Sequence, residues 1–194
     1  MVEQPVFLPV LLGTNRQGRE SEKVARWVYA KLQARPDIET QWFDVGEFSL
    51  PKDDYGQSVK DRFPEWRDAV IRCDGLVLVT PEYNHGYPGI LKSVLDLLLK
   101  EYIHKVVAFV GVSAGSFGGA RVIEALVPMV RELGLAACFT DLSFPRVADA
   151  FDDNGKLKEA DRYDRRFQDF ADELVWMSRS LRWGRQNLPS KYHR

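Results

Sequence analysis

The sequence predicts an α/β fold in which a five-stranded parallel sheet lies between two layers of helices. Apolar runs of strand length alternate along the chain with longer segments of helical period, which is the pattern that βαβ units produce. Two of the runs, Leu76–Val79 and Val106–Val110, are apolar throughout, as expected for strands that helices cover on both faces. A chain of 194 residues fits one domain. We therefore expect residues 1–194 to form a single unit whose last ten residues, 185–194, are a mobile tail.

The predicted elements alternate from one end of the chain to the other. Strands are predicted at Val6–Leu12, Glu39–Asp44, Gly75–Thr80, Lys105–Val112 and Ala136–Leu142. Helices are predicted at Glu20–Ala34, Asp61–Arg72, Gly89–Glu101, Gly118–Leu133 and Lys158–Arg182. The second strand is the most polar of the five and suits a sheet edge, and the expected strand order is 2-1-3-4-5. Pro128 should kink the fourth helix, because its ring removes one backbone hydrogen bond.

Composition and charge exclude several classes of protein. Charged residues make up 28% of the chain and the formal net charge is -1, which gives no support to nucleic-acid binding. The two cysteines, Cys73 and Cys138, lie far apart in apolar runs and form no CxxC motif, so we interpret both as core thiols. The N-terminus has the wrong order for a secretory signal, and no apolar stretch approaches the roughly 20 residues of a membrane span. We therefore expect a cytoplasmic protein that binds no membrane.

A glycine-rich loop with hydroxyl and cationic side chains follows the first predicted strand, where an open parallel sheet binds its ligands. Free backbone N–H groups and the positive end of the next helix favour an anion there. Thr14 and Ser21 could bind a phosphate, with charge from Arg16 or Arg19. Alternatively, Ser21 only caps the helix and the arginines are solvated. The loop lacks the Lys-Ser/Thr end of a P-loop and the third glycine of a dinucleotide fingerprint, which favours a monophosphate.

The loop after the third predicted strand reads Thr-Pro-Glu-Tyr-Asn-His-Gly-Tyr-Pro-Gly over residues 80–89. Two prolines and two glycines restrict its backbone. Its flat, polar-tipped side chains would suit a planar heterocycle, and they are Tyr83, Asn84, His85 and Tyr87. The alternative is a tight strand-to-helix turn whose tyrosines pack on their neighbours.

A second glycine-rich loop follows the fourth predicted strand, and its small residues would let a ring approach the backbone closely. Residues 111–115 also match the G-x-S-x-G nucleophile elbow of serine hydrolases, with Ser113 as the nucleophile. A hydrolase would need a later acid and histidine, and the only later histidine is His193 in the basic tail. The hydrolase hypothesis therefore has few usable residues.

Together the three loops resemble those of the NADPH-dependent FMN reductase family, which also holds quinone, azo-dye and chromate reductases. The resemblance covers roughly Val6 to Leu142, and residues 81–96 are its most specific part. The matching residues are Gly13, Thr14, Arg16, Ser21, Val24 and Ala25, then Pro81–Asn84, Pro88, Gly89, Leu91, Lys92, Leu95 and Asp96, then Ser113, Gly115, Gly118, Gly119 and Arg121. Asp44 followed by Leu50-Pro51 also resembles a recurrent feature of the family.

The resemblance implies a flavodoxin-like three-layer sandwich that binds FMN. By this likeness, Thr14, Arg16 and Ser21 would hold the phosphate, and Arg19 is a candidate for this phosphate or for the 2′-phosphate of NADPH. The residues expected to line one side of the isoalloxazine ring are Pro81, Glu82, Tyr83 and Asn84. Tyr83, Asn84 and His85 could also meet the nicotinamide or the acceptor. The residues expected on its other side are Ser113, Gly115, Ser116, Gly118 and Gly119.

The implied function is an NAD(P)H-dependent oxidoreductase. Hydride would pass from NADPH or NADH to bound FMN and then to a small-molecule acceptor, which could be a quinone, an azo compound, a metal oxyanion or a flavin. No side chain need act as an acid or base, so no catalytic residue is assigned. The alternative is an FMN-binding electron carrier, although such carriers are usually strongly acidic and this chain is not.

The family resemblance also implies a homodimer or homotetramer. The apolar residues of the predicted helices 89–101 and 118–133 each cover an arc of roughly 200°, about twice the stripe that packing on one sheet requires. We expect the additional apolar surface of these helices to be buried against a second copy of the chain. The alternative is that it is buried deeply within one chain.

Overall fold

The computed structural model describes residues 4–50 and 59–192, and in it a parallel sheet lies between helical layers, as predicted. The strands are β1 Val6–Phe7, β2 Val10–Leu12, β3 Ile38–Glu39, β4 Trp42–Asp44, β5 Gly75–Pro81, β6 Val106–Val112, β7 Ala136–Ala137 and β8 Leu142–Phe144. The helices are α1 Ser21–Gln33, α2 Pro64–Arg72, α3 Gly89–Leu95, α4 Ala120–Glu132, α5 Val147–Ala150 and α6 Ala160–Asn187.

Pro9 divides the first predicted strand into β1 and β2. It has no N–H to donate to a neighbouring strand, so the ladder is interrupted there. The register is nevertheless the same on both sides of the gap, because Val6 lies opposite Ile38 and Val10 lies opposite Trp42. We therefore treat β1 and β2 as halves of one strand, and β3 and β4 as halves of the next.

With these halves joined, the strand order is 2-1-3-4-5 and the second strand lies at a sheet edge, as predicted. The fifth strand differs from the continuous strand Ala136–Leu142 that the sequence predicts. β7 and β8 both pair with β6, but Val106 lies opposite Ala136 whereas Val110 lies opposite Leu142. Two extra residues are therefore looped out between the two halves, and Phe139 within this loop is 78% exposed.

Two apolar cores lie on opposite faces of the sheet, because alternate residues of each strand point to opposite sides. The core under α1 and α6 includes Val10, Leu12, Val77, Val79, Val28, Phe167 and Phe170. The core under α2, α3 and α4 includes Leu11, Leu76, Leu78, Phe109, Trp66, Val94 and Leu126. Cys73 and Cys138 are both buried and free, which confirms them as core thiols, and burial raises the pKa of Cys73 to about 11.

Two helices end elsewhere than predicted, and one was missed. α3 stops at Leu95 instead of Glu101, and the next residues, Leu97 and Leu98, are buried within the chain itself. α6 continues to Asn187, so the first three residues of the predicted tail are helical. The four-residue helix α5 was not predicted. Residues 193 and 194, also part of that tail, lie outside the described residues.

A buried carboxylate holds the C-terminal end of α6 against the sheet. Asp74, just before β5, accepts hydrogen bonds from the Phe7 N–H at 3.0 Å, from Arg182 Nε at 2.7 Å and from Arg185 at 2.9 Å. Burial alone would raise the pKa of Asp74, but the hydrogen bonds from Arg182 and Phe7 and the charges of both arginines leave it below its ordinary value.

None of the described helices combines the length and the apolar character that crossing a membrane requires.

Candidate functional site

Three loops meet at the carboxyl edge of the sheet. We name them the first loop (residues 13–20, after β2), the second loop (82–88, after β5) and the third loop (113–119, after β6). The Thr14 hydroxyl lies 3.0 Å from the Tyr83 hydroxyl, which connects the first loop to the second. The structure therefore brings together the loops that the sequence analysis selected, because β2, β5 and β6 are neighbours in the sheet.

Two hydroxyl groups of the predicted phosphate site are buried beside the start of α1. The Thr14 side chain accepts a hydrogen bond from the Arg16 N–H at 3.3 Å. Ser21 is the first residue of α1, and its Oγ is buried without a hydrogen-bond partner among the described residues. A buried hydroxyl without a partner costs free energy. A phosphate oxygen at this positive helix end would give it one, so these residues fit the phosphate of FMN.

Arg19 and Arg16, the two arginines of the first loop, differ in their surroundings. Arg19 is held by Asp44 through two hydrogen bonds, one of them 2.8 Å long, and by Glu22 at 3.2 Å. It also donates to the Thr14 carbonyl. Burial lowers the pKa of Arg19, but Asp44 and Glu22 outweigh this and leave it above its usual value. Since these contacts occupy most of its donors, Arg19 braces the loop, and its phosphate role stays a prediction.

An open cleft of about 960 Å³ follows the first loop and the start of α1. Three of its cations are paired with acids, namely Arg19 with Asp44, Lys23 with Glu20, and Arg26 with Glu22. Arg16 is exposed and has no ion pair with any described residue; its guanidinium carbon lies 5.8 Å from the centre of the Tyr83 ring. Arg16 is thus the cleft cation best placed to meet an incoming anion.

The second loop is a tight hairpin turn. The N–H groups of Tyr83 and Gly86 each donate to the other residue's carbonyl at 2.9 Å. Asn84 and His85, between them, both have left-handed backbone conformations, with φ of 50° and 67°. Their side chains are exposed, whereas Pro81 is buried and Tyr83 is partly buried. The turn therefore presents an amide and an imidazole at the mouth of the site.

The third loop folds back tightly onto the end of β6. At Gly119, φ is 85°, and a Cβ atom there would lie only 2.6 Å from the Val112 nitrogen, so this position requires glycine. Gly118 is also buried, whereas Gly115 and Ser116 are exposed at the edge of the loop. The glycines thus let α4 start close to the sheet.

The geometry of Ser113 does not support the serine hydrolase hypothesis. Its hydroxyl donates to the Gly115 carbonyl at 2.9 Å and not to a histidine. α4 begins seven residues later, at Ala120, whereas a nucleophile elbow places its serine at the turn into the helix. His193, the histidine that this hypothesis needs, lies outside the described residues.

Two residues that the sequence analysis assigned no site role complete the contacts between the loops. Asp44 ends β4 and holds Arg19, and its position beside the first loop follows from the strand order. Arg121, at the start of α4, donates through Nε to Glu82 Oε1 at 2.6 Å. A cation is disfavoured at a helix N-terminus. The position of Arg121 at the start of a predicted helix therefore indicated, from the sequence alone, that it pairs with an acid.

The chain resembles known proteins in sequence and in structure. Residues 8–148 match the family model described as NADPH-dependent FMN reductase. An NAD(P)H-dependent FMN reductase of Nectria sp is 28% identical over 158 residues, which cover 74% of this chain and 78% of that protein. A quinone reductase of Pseudomonas putida is 27% identical over 168 residues, covering 83% of this chain and 89% of that protein.

The fold also matches a solved structure. FerB, a flavoenzyme NAD(P)H:(acceptor) oxidoreductase of Paracoccus denitrificans, superposes with a TM-score of 0.73 and 20% identity, over 90% of this chain and 98% of that one. This likeness supports the fold.

Proposed function

Because this chain belongs to the NADPH-dependent FMN reductase family, we propose that the three loops hold FMN, with its phosphate at Thr14, Arg16 and Ser21. The family membership makes the protein an oxidoreductase that uses FMN and a nicotinamide nucleotide. The observation that carries the proposed location is the buried Ser21 hydroxyl at the start of α1, which has no partner in the described part of the chain. Arg16 supplies the charge, since it has no acid partner among the described residues.

The second and third loops would hold the ring. Tyr83 and the turn residues Asn84 and His85 form one side of the site, and the glycine-rich third loop forms the other. When bound, FMN supplies the hydride acceptor and the store of electrons. The chain binds and orients the flavin and its substrates, and no side chain is assigned a proton transfer.

A planar small molecule of the quinone type is the acceptor we propose. The relative from Pseudomonas putida is a quinone reductase, and that protein aligns with most of this chain. Each of the two loops that would hold the ring carries an aromatic side chain, the partly buried Tyr83 in the second loop and the exposed Phe117 in the third. Aromatic faces of this kind favour flat ligands by stacking.

Anaerobic flavin reduction tests the proposed function. We expect the purified protein to bind FMN and its yellow colour to bleach on addition of NADPH or NADH, with reoxidation by a quinone. Arg16→Ala should weaken FMN binding about tenfold or more, since it removes a charge-assisted hydrogen bond. Lys23→Ala, which removes a cation of the same cleft that is already paired with Glu20, should leave the affinity unchanged.

Two results would contradict this function. Bound FMN that neither nucleotide bleaches would indicate an electron carrier. An apoprotein that gives no calorimetric heat with FMN would remove the flavin site altogether.

We also propose that the protein is a homodimer or homotetramer whose interface includes the outer face of α4. Val127 on this helix is 38% exposed, and Pro128 beside it is exposed as well. The predicted helix 89–101 supports an interface less than its sequence suggests, because Leu97 and Leu98, which follow α3, are buried within the chain itself.

A further inference from the structure

An ion pair joins the second loop to the start of α4. Arg121 contacts Glu82 Oε1 with two of its nitrogens, at 2.6 Å from Nε and 2.5 Å from the second nitrogen. The Glu82 side chain is only 5% exposed. Its backbone N–H donates to the Val112 carbonyl at 2.9 Å, so Glu82 is tied both to the end of β6 and to α4. The pair therefore lies between the two loops that flank the proposed ring site.

Stability alone does not account for this arrangement. Arg121 is the second residue of α4, where the helix dipole opposes a positive charge. The other carboxylate oxygen, Glu82 Oε2, is buried without a hydrogen-bond partner among the described residues, which adds a desolvation cost. The Arg121 side chain is 42% exposed, so solvent screens its attraction to Glu82 and the ion pair is a weak stabiliser at best.

Arg121 also contacts the third loop. Its guanidinium carbon lies 4.6 Å from the centre of the Phe117 ring, which is 60% exposed. A guanidinium over an aromatic face is an attractive contact. Glu82, Arg121 and Phe117 thus form a continuous connection from the second loop to the third.

We propose that Glu82 and Arg121 are a positioning pair that sets the separation of the second and third loops, and through it the affinity for the isoalloxazine ring. This inference rests on the proposed function, because it assumes that those loops hold the flavin. The pair acts on the ring and not on the phosphate, so its loss should weaken riboflavin, which has no phosphate, as much as FMN. Loss of Arg16 should weaken FMN alone.

The opposite charges of Glu82 and Arg121 should also affect the midpoint potential of the bound flavin. Reduction adds electrons to the flavin, so a nearby positive charge favours the reduced form and a negative charge disfavours it. Glu82→Gln leaves the charge of Arg121 unbalanced and should raise the midpoint potential of the bound flavin. Arg121→Gln leaves the Glu82 carboxylate unbalanced and should lower it.

The test compares Glu82→Gln, Arg121→Gln and the double variant with the wild type. Dissociation constants for FMN and riboflavin and the midpoint potential of bound FMN are measured for each protein. We expect each single variant to bind both ligands about tenfold more weakly, a change of 1.4 kcal/mol. The double variant should return to the wild-type potential while its affinity stays low. Arg131→Gln, in the last turn of the same helix, is the control and should change none of these values.

Two results would overturn the inference while leaving the flavin site in place. One is wild-type affinity for both ligands in the single variants. The other is weaker binding with an unchanged potential in both of them, which a merely loosened fold would produce. Failure of the wild type itself to bind FMN would refute the proposed function instead.

Discussion

The Ser21 hydroxyl is unfavourable for the stability of the apoprotein and favourable for binding of the proposed phosphate. Its hydroxyl is buried at the start of α1 and has no partner among the described residues. Such a group lowers the stability of the apoprotein and becomes favourable when a ligand accepts its hydrogen bond. Stability and ligand affinity should therefore respond in opposite directions when this hydroxyl is removed.

Ser21→Ala should weaken FMN binding about tenfold, because a hydrogen bond to a charged group contributes about 1.5–3 kcal/mol. The apoprotein should be as stable as the wild type, or more stable by about 1 kcal/mol, since the alanine has no unpaired hydroxyl. Titration with FMN and urea unfolding of the apoprotein measure the two effects. Ser178→Ala removes another buried hydroxyl that has no partner within residues 4–50 and 59–192; it is the control and should leave FMN affinity unchanged. Full FMN affinity in Ser21→Ala would place the phosphate elsewhere.

Sequence patterns predicted the residues of the candidate site better than their partners. Thr14 and Ser21 could be selected because a helix start after a strand is a known anion site. The role of Arg19 could not be predicted, because Asp44 is 25 positions away and reaches it only through the strand order. The pair of Glu82 with Arg121 spans 39 positions and depends on how two loops leave neighbouring strands.

At the scale of secondary-structure elements, one polar cluster holds the C-terminal part of α6. Its C-terminal part carries Arg182 and Arg185, which meet the buried Asp74 beside β5. Both arginines lie beyond or at the end of the helix that periodicity predicts. The spacing of apolar residues cannot locate the end of α6, because Arg182 and Arg185, the residues that anchor this end, are polar.

Asp74→Asn should destabilise the protein by about 3 kcal/mol near neutral pH, because it leaves two arginines without their buried partner. The pKa of Asp74 in the folded chain lies below the usual value of about 3.9. The stabilisation of the folded state by the Asp74 carboxylate is therefore complete above the usual pKa of about 3.9, the value in the unfolded chain. It is lost as the pH falls through the lower pKa of the folded chain. Urea unfolding of wild type and variant across this range measures it.

Asp172→Asn is a matched control for this effect. Asp172 also joins α6 to another part of the chain, through Arg35 in the turn after α1 at 2.6 Å, but its side chain is 67% exposed. Removing it should change the unfolding free energy by about 1 kcal/mol or less. An equal loss in both variants would mean that the buried position of Asp74 is not what matters.

The boundaries of the elements show where local patterns stop being informative. All five predicted strands and five predicted helices exist. Periodicity extended α3 to Glu101 because Leu97 and Leu98 continue an apolar run, although both are buried outside the helix. The looped-out residues between β7 and β8 follow from pairing with β6, which no local pattern reports.

At the scale of the whole molecule, the assembly of copies is the open prediction. The apolar residues of the predicted helix 89–101 were expected to be buried against a second copy. Most of those on α3 and in the residues after it are instead buried within one chain. Leu98, 3% exposed, is therefore unsuitable for testing an interface, since a charge there would disrupt the core. Val127 on α4 is the better position.

Val127→Asp should reduce the mass measured by light scattering to half that of the wild-type oligomer or less, because a charge in an apolar interface is strongly disfavoured. Circular dichroism should show an intact fold, as Val127 is partly exposed within the chain. Ile71→Asp changes an apolar residue that is 55% exposed on α2 and is the control that should keep the wild-type mass. A wild-type mass for Val127→Asp would exclude this face as the interface.

The proline that splits the first strand has a consequence for the newly made chain. Residues 6–12, Val-Phe-Leu-Pro-Val-Leu-Leu, leave the ribosome before β3, β4 and β5, the strands with which they pair. Uninterrupted apolar segments of this length are prone to join copies of themselves into fibrillar aggregates. Pro9 cannot donate a hydrogen bond to such a stack. We therefore expect it to act as a gatekeeper that keeps the nascent segment available for its own sheet.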